Sequence, residues 1–257
     1  MKPFFTTTLA TFLCACIAMS AHAATPRAPA LDAWLQSVYG KSASAEGEWD
    51  GPFHDMPQRR AEYSVCADSG MRKDGLRLVA VCGALADAGH PETGSTDFYV
   101  LRGAAGPLHT LGEVRDVAGN GHGSPGTVKL LHLGPAAPGF RLSTGYTSNG
   151  VSVFQDTVYV FDGKTLAQAV EIPSGYSEVG FCRDGDRACV RASTETSCEL
   201  VVDKTKQAAP GRYALRIDVQ GRHAGRMVKT SVPVAYRNGR YIDPTPQLTK
   251  LGCSEGE

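Results

Sequence analysis

The sequence predicts a mainly β architecture, with antiparallel hairpins in a sandwich or propeller-like assembly behind one short N-terminal helix, and three observations predict it. Beyond residue 60, β-branched and aromatic residues alternate with polar ones at a period of two. Clusters of Gly, Pro, Asn and Asp separate these runs, and Asp162-Gly163 and Asn238-Gly239 tolerate the positive φ that two-residue hairpin turns demand. Ahead of them Leu31, Trp34, Leu35, Val38 and Tyr39 recur at helical spacing, and Gly40 follows as a stop.

The first element is a targeting segment. Met1-Lys2 carries a positive charge, residues 4–18 are apolar or small without charge, and Ala21-His22-Ala23 is a small-x-small cleavage site, so residues 1–23 read as a secretory signal peptide. The apolar run falls short of the ~20 residues a spanning helix needs, and residues 25–30 are Pro-rich and polar, so no stable membrane insertion is expected. Residues 24–257 are expected to form a single disulfide-stabilised β-rich domain, periplasmic or secreted.

Residues 31–39 are the amphipathic helix, and residues 41–60, rich in Gly, Ser, Pro and charge, read as an irregular loop plugged into the core by Trp49 and Phe53. Strands follow at 62–67, 76–82, 96–101, 127–133, 140–145 and 151–161, then at 188–192, 199–202, 213–219, 228–236 and 241–242. The stretches FYVLRG (98–103), VYVFDG (158–163) and VAYRNG (234–239) each end a strand in a turn, giving three hairpin units at unequal spacing.

Charge and cysteine content bound the function. The chain holds 26 basic and 26 acidic residues without Lys/Arg clusters, so nothing marks it for nucleic acid or for anionic lipid. Of eight cysteines, Cys14 and Cys16 lie in the signal, and the even remainder in an oxidising compartment favours three bridges among 15 pairings. Cys66 and Cys82 flank the turn-like residues 73–75, and Cys182 and Cys189 bracket residues 183–187 in the same way. Elimination then pairs Cys198 with Cys253. No CxxC pair suggests structural zinc.

No residue pattern points to catalysis. The histidines beyond the signal, at 54, 90, 109, 122, 132 and 223, form no HxH or HExxH, and Ser124 in GHGSPG lacks the glycine two residues before it that a nucleophile elbow requires. Asp184 and Asp186 share a tight turn and read as solvated carboxylates. The stretch GYTSNG (145–150) joins two strands, and its Tyr146, Thr147, Ser148 and Asn149 suit the recognition of polar ligands.

One loop carries a resemblance. DVAGNGHG (116–123) resembles the calcium loop of FG-GAP-type propeller repeats, which places oxygen ligands at alternate positions around a glycine-permitted turn. The resemblance implies Asp116 and Asn120 as calcium ligands, whereas Ala118 offers no side-chain ligand and His122 offers nitrogen. No other cofactor is expected. As a whole the chain is similar to exported bacterial β-rich proteins of unknown function, a likeness that carries over no site residue.

These features predict a non-enzymatic periplasmic binding protein, with an inhibitor or immunity protein for a periplasm-acting toxin or hydrolase as its expected form, and with another periplasmic protein as partner. The alternative is a periplasmic hydrolase acting on cell-wall or sugar substrates through carboxylates scattered in sequence. A third reading, an envelope component that binds glycan, would draw its indoles from Trp34 and Trp49.

Overall fold

The structure is a computed structural model that describes residues 29–40, 48–54, 56–103 and 106–255. The expected signal peptide, residues 1–23, lies outside the described residues. The chain runs through helix α1 (Pro29–Tyr39), strands β1 (Glu48–Phe53), β2 (Met56–Asp68), β3 (Leu76–Leu85), β4 (Ser95–Arg102) and β5 (His109–Ala118). Seven further strands follow: β6 (Thr127–Gly134), β7 (Ala137–Ser148), β8 (Val151–Phe161), β9 (Leu166–Ser177), β10 (Glu195–Ala209), β11 (Arg212–His223) and β12 (Arg226–Val234). Helix α2 (Arg187–Ala192) interrupts them, and the small hairpin β13 (Tyr236–Arg237) and β14 (Arg240–Tyr241) leads to helix α3 (Thr245–Thr249).

Strands β1 to β5 form one antiparallel sheet in sequence order, and β6 to β12 form a second, so each is a meander of hairpins. Strands β3 and β4 are buried along almost their whole length because both faces of the first sheet are covered. On one face Val79, Val81, Tyr99 and Leu101 pack against Leu31, Trp34 and Leu35 of α1. On the other, Leu78, Ala80, Phe98 and Val100 meet Phe140, Leu142, Tyr159 and Phe161 of the second sheet, with Phe98 4.8 Å from Phe140 and 4.9 Å from Tyr159 between ring centroids. Each such large side chain removed from water contributes about 1.5–3 kcal/mol. The second sheet curls around a further core in which Ile172, Leu215 and Ile217 pack with Tyr241, Leu248 and Cys253 of the C-terminal segment.

The three cysteine pairs 66–82, 182–189 and 198–253 are bonded, as spacing and elimination predicted. Asn149-Gly150, Asp162-Gly163 and Asn238-Gly239 all turn hairpins, with positive φ at both residues of the first and last pairs and at Gly163.

The chain departs from expectation at four segments. Residues 48–60 are not an irregular loop: EWDGPF alternates exposed and buried side chains as β1, so Trp49 and Phe53 point inward from a strand, and β2 begins at Met56. Residues 188–192, expected as a strand, are α2, because Asp186 caps its N-terminus by accepting from Ala188 N at 3.1 Å and Cys189 N at 2.9 Å. Strands β5 and β9 also lie outside the predicted set; glycine, charge and proline within them mask the period of two.

Candidate functional site

The glycine-rich stretch 119–126 is laid directly onto residues 85–94. Gly123 N donates to Glu92 O at 2.7 Å, Leu85 N to Gly123 O at 2.8 Å and Gly119 N to Gly94 O at 2.8 Å. A Cβ on Gly123 would lie 2.3 Å from Leu85 O, and its φ of 68° is one that side chains rarely adopt, so two loops can stack backbone to backbone only with glycine here. The stack holds His90 against His122 and Tyr146, at ring-centroid distances of 4.7 and 5.1 Å.

Asn120 joins this stack to the second sheet. Its amide Nδ2 donates to Pro125 O at 3.1 Å, and its Oδ1 accepts from Gly145 N at 2.7 Å. Asp116 is elsewhere: it sits in a bulge of β5 opposite Asp97, has φ 57°, and directs its carboxylate to His54 Nε2 at 3.6 Å. The two residues that the FG-GAP resemblance pairs as calcium ligands therefore have separate partners. Among the described residues no group of three or more His, Cys, Asp or Glu side chains is placed to hold a metal ion.

Of the predicted binding residues, Tyr146, Thr147 and Ser148 belong to strand β7, and Asn149 is the first residue of the hairpin turn. Tyr146 is exposed, and its hydroxyl is 3.2 Å from His90 Nδ1. It lines a cleft of about 900 Å³ together with Val153, Phe154 and Ile242. Thr147 lines an adjoining depression that also contains Phe154, and Met227 lines a third. Tyr146 and Val153 oppose each other on one face of the sheet and border the first cleft with Ile242, whereas Phe154 and Met227 project from the other face and share the third.

Phe154 is 46% exposed. Its register partners are Gly145 on β7 and Gly175 on β9. A Cβ on Gly145 would come 2.6 Å from Cδ1 of Phe154, and one on Gly175 3.3 Å from Cδ2, so the ring lies across both glycines. An aromatic ring laid over cross-strand glycines covers their backbone and keeps its outer face free. The 900 Å³ cleft, on the Tyr146 face, is also lined by Gln155, Gln168, Glu171, Arg240 and Asp243, a mixture without a dominant charge. Sequence reading missed Phe154 because its significance depends on register. The signal available was an aromatic in one strand with glycines in the strands on either side.

A second constellation is buried in the first sheet. Asp97, 1% exposed, accepts from the Tyr39 hydroxyl at 2.6 Å, from Asp116 N at 2.7 Å and from the Tyr99 hydroxyl at 3.3 Å. Arg115 Nε is 3.6 Å from the same carboxylate, and its guanidinium lies over the Tyr39 ring at 5.8 Å. Burial, reinforced by the Asp97 charge, holds the Tyr39 and Tyr99 hydroxyls well above the ordinary tyrosine range. His54 Nε2 is 2.9 Å from Ser95 Oγ and 3.7 Å from Asp97 Oδ1.

A Ser-His-Asp relay requires the carboxylate on one ring nitrogen and the serine on the other. Here Ser95, Asp97 and Asp116 all face Nε2, which carries at most one proton, and Ser95 is 2% exposed. The arrangement ties together α1, β4, β5 and the end of β1. Sequence reasoning could not find it, because Tyr39, His54, Asp97 and Asp116 are distant in the chain and share no motif.

No protein-family model, curated protein or solved structure matches this chain. The three disulfides are the chemistry of an oxidising compartment, and no helix among the described residues is long and apolar enough to cross a membrane.

Proposed function

We propose that the protein is a non-enzymatic binding protein of the periplasm, and that the region around Phe154 is its recognition site. The observation that carries this reading is the exposure of Phe154 and Met227 on one face of the second sheet, around a shared cleft. Soluble proteins leave such apolar groups together where a ligand or partner covers them. The scaffold suits the task, since interior strands of a disulfide-stapled sheet hold the site at fixed geometry. An inhibitor or immunity protein for a periplasm-acting toxin or hydrolase is the form of binder proposed.

One observation favours the hydrolase alternative: Glu171 and Asp243 both line the 900 Å³ cleft. A carboxylate pair is the machinery of glycoside cleavage.

Cross-linking of the tagged, exported chain in living cells separates the two. Recovery of one defined partner that disappears with Phe154→Ala, and persists with Glu171→Gln and Asp243→Asn, supports the binder. Turnover of a cell-wall saccharide that is lost in Glu171→Gln or Asp243→Asn would replace it with the hydrolase. Partner recovery indifferent to Phe154 would remove the cleft from the proposal.

A further inference from the structure

Resting on the reading of the Phe154 region as the recognition site, we infer that this face of the second sheet binds a neutral glycan, a flat strand of equatorially linked pyranoses laid across β8 to β12. Two adjacent rows of the ladder define the face. Thr147, Ser152, Ser177, Glu195, Arg222 and Met227 stand opposite one another in turn from β7 to β12. Gly145, Phe154, Gly175, Ser197, Gln220 and Lys229 form the next row, two residues along each strand. Register partners and residues two apart project from the same side, so both rows share one surface.

Strands β8 to β11 are paired on both sides at these rows, so the main chain is engaged and a ligand meets side chains. Between Phe154 and Met227, Ser177, Ser197 and Gln220 line a cleft of about 610 Å³. Glu195 and Arg222 line it too, 3.3 Å apart, so their charges cancel. On the other side of the ring a depression of about 650 Å³ is lined by Arg141, Ser143, Thr147 and Asp156. There Arg141 is 3.5 Å from Asp156, which also accepts from Ser143 Oγ at 2.5 Å. Hydroxyl and amide side chains offer donor and acceptor together, as a polyol requires, and paired charges give no pull on a polyanion or polycation.

Phe154 supplies the apolar platform. Its partners on β7 and β9 are glycines, so no side chain flanks the ring and its outer face stays open. The C–H groups on the flat side of an equatorially substituted pyranose are drawn to the negative face of an aromatic ring, while the sugar hydroxyls point outward to the polar side chains. The interface with a folded protein has a broad apolar core, whereas Phe154 and Met227 are the only large apolar side chains in these two rows. With strands about 4.8 Å apart, β8 to β12 spans about 19 Å, room for several linked sugars. Trp34 and Trp49, the indoles that sequence offered to a glycan, are buried against the first sheet, so Phe154 takes their place. Covering the strand that a hydrolase cleaves is also a means of inhibiting that hydrolase without touching it.

Isothermal titration calorimetry of the exported, disulfide-bonded chain with cellotetraose, the tetrasaccharide of N-acetylglucosamine, and maltotetraose tests the assignment. The first two are flat, equatorially linked strands, and the third coils. Saturable binding of at least one flat strand is expected, with maltotetraose weaker by on the order of tenfold. Phe154→Ala should weaken binding by on the order of tenfold or more, and Phe154→Trp should retain it, which separates loss of the ring from loss of the fold. Gln220→Ala, which leaves the ring in place, should weaken it as well.

Equal binding of maltotetraose would overturn the flat strand as ligand. Binding of a flat strand that neither Phe154→Ala nor Gln220→Ala alters would place the sugar elsewhere and overturn the inference. No saccharide bound, with Phe154-dependent capture of a protein by cross-linking in cells, would overturn the glycan and leave the Phe154 region as the recognition site. No saccharide bound, with cross-linked partners indifferent to Phe154, would remove both.

Discussion

Tyr39, the last residue of α1, donates its hydroxyl to Oδ2 of Asp97 on β4, 2.6 Å away and 58 residues on in the sequence. The bond fastens the only long helix among the described residues to the middle of the first sheet, and it gives a buried carboxylate its shortest side-chain donor. Hydrogen bonds to buried charge contribute about 1.5–3 kcal/mol, and an acceptor left unsatisfied costs as much. Tyr39→Phe is therefore expected to lower the unfolding free energy by about 2 kcal/mol in urea titrations. Tyr99→Phe, whose bond to the same oxygen is 3.3 Å, is expected to cost less. Equal costs would mean that the two hydroxyls serve Asp97 interchangeably.

The same hydroxyls set the alkaline limit of stability. Burial raises Tyr39, Tyr63, Tyr99 and Tyr159 above the ordinary value, and pushes Tyr241 up to about 12. A group whose folded pKa exceeds its unfolded pKa contributes stability that is complete below the unfolded value and is lost as pH rises toward the folded one. Stability is thus expected to be flat below about pH 9 on this account and to fall steadily above the ordinary tyrosine pKa of about 10. Phenolate absorbance checks it. At pH 11 the folded chain should show well under nine ionised tyrosines, with the remainder appearing in one step as it unfolds.

The three disulfides should rank by the loops they close. Chain entropy assigns about 4 kcal/mol to the 55-residue closure of Cys198–Cys253, about 3 to Cys66–Cys82 at 16 residues and about 2 to Cys182–Cys189 at 7. Pairwise replacement by alanine, followed by urea unfolding, is expected to reproduce that order. Cys198 and Cys253 are also fully buried, so a cavity term adds to their loss. A greater cost at Cys182–Cys189 than at Cys198–Cys253 would show that α2 and its loop matter beyond chain entropy.

The sequence disclosed those parts of the molecule whose cause is local. Hairpin turns at Asp162-Gly163 and Asn238-Gly239 follow from backbone preference, and the bridges follow from cysteines flanking turns. Strand β5 escaped because its exposed side chains give it little apolar period, and β1 because Gly51 and Pro52 read as loop. Phe154 and the Tyr39–Asp97 bond were illegible for a different reason. One depends on which glycines fall opposite the ring, and the other on α1 packing onto one face of the first sheet, so both exist only once register and packing are fixed. The residues 145–149 were found for their polarity, yet what places them beside a cleft is the loop 119–126, through Asn120.

Asn120 supplies the last prediction. Its amide and carbonyl are both engaged, at Pro125 O and Gly145 N, so Asn120→Ala leaves two main-chain groups without these partners and is expected to cost about 1–3 kcal/mol. Gly145 lies beneath Phe154, so the same change should also weaken binding at the cleft, whereas Asp116→Asn, at the His54 end, should not. A calcium loop would behave otherwise. Calcium bound by Asp116 and Asn120 would raise the melting temperature by mass action, and either substitution would abolish the rise. Differential scanning fluorimetry of the three proteins with and without millimolar calcium decides between them. The hydrogen-bond geometry predicts no calcium shift in any, with a lower melting temperature for Asn120→Ala alone. A shift in the unsubstituted protein that both substitutions remove would mean that Asn120 gives up Gly145 to hold the ion.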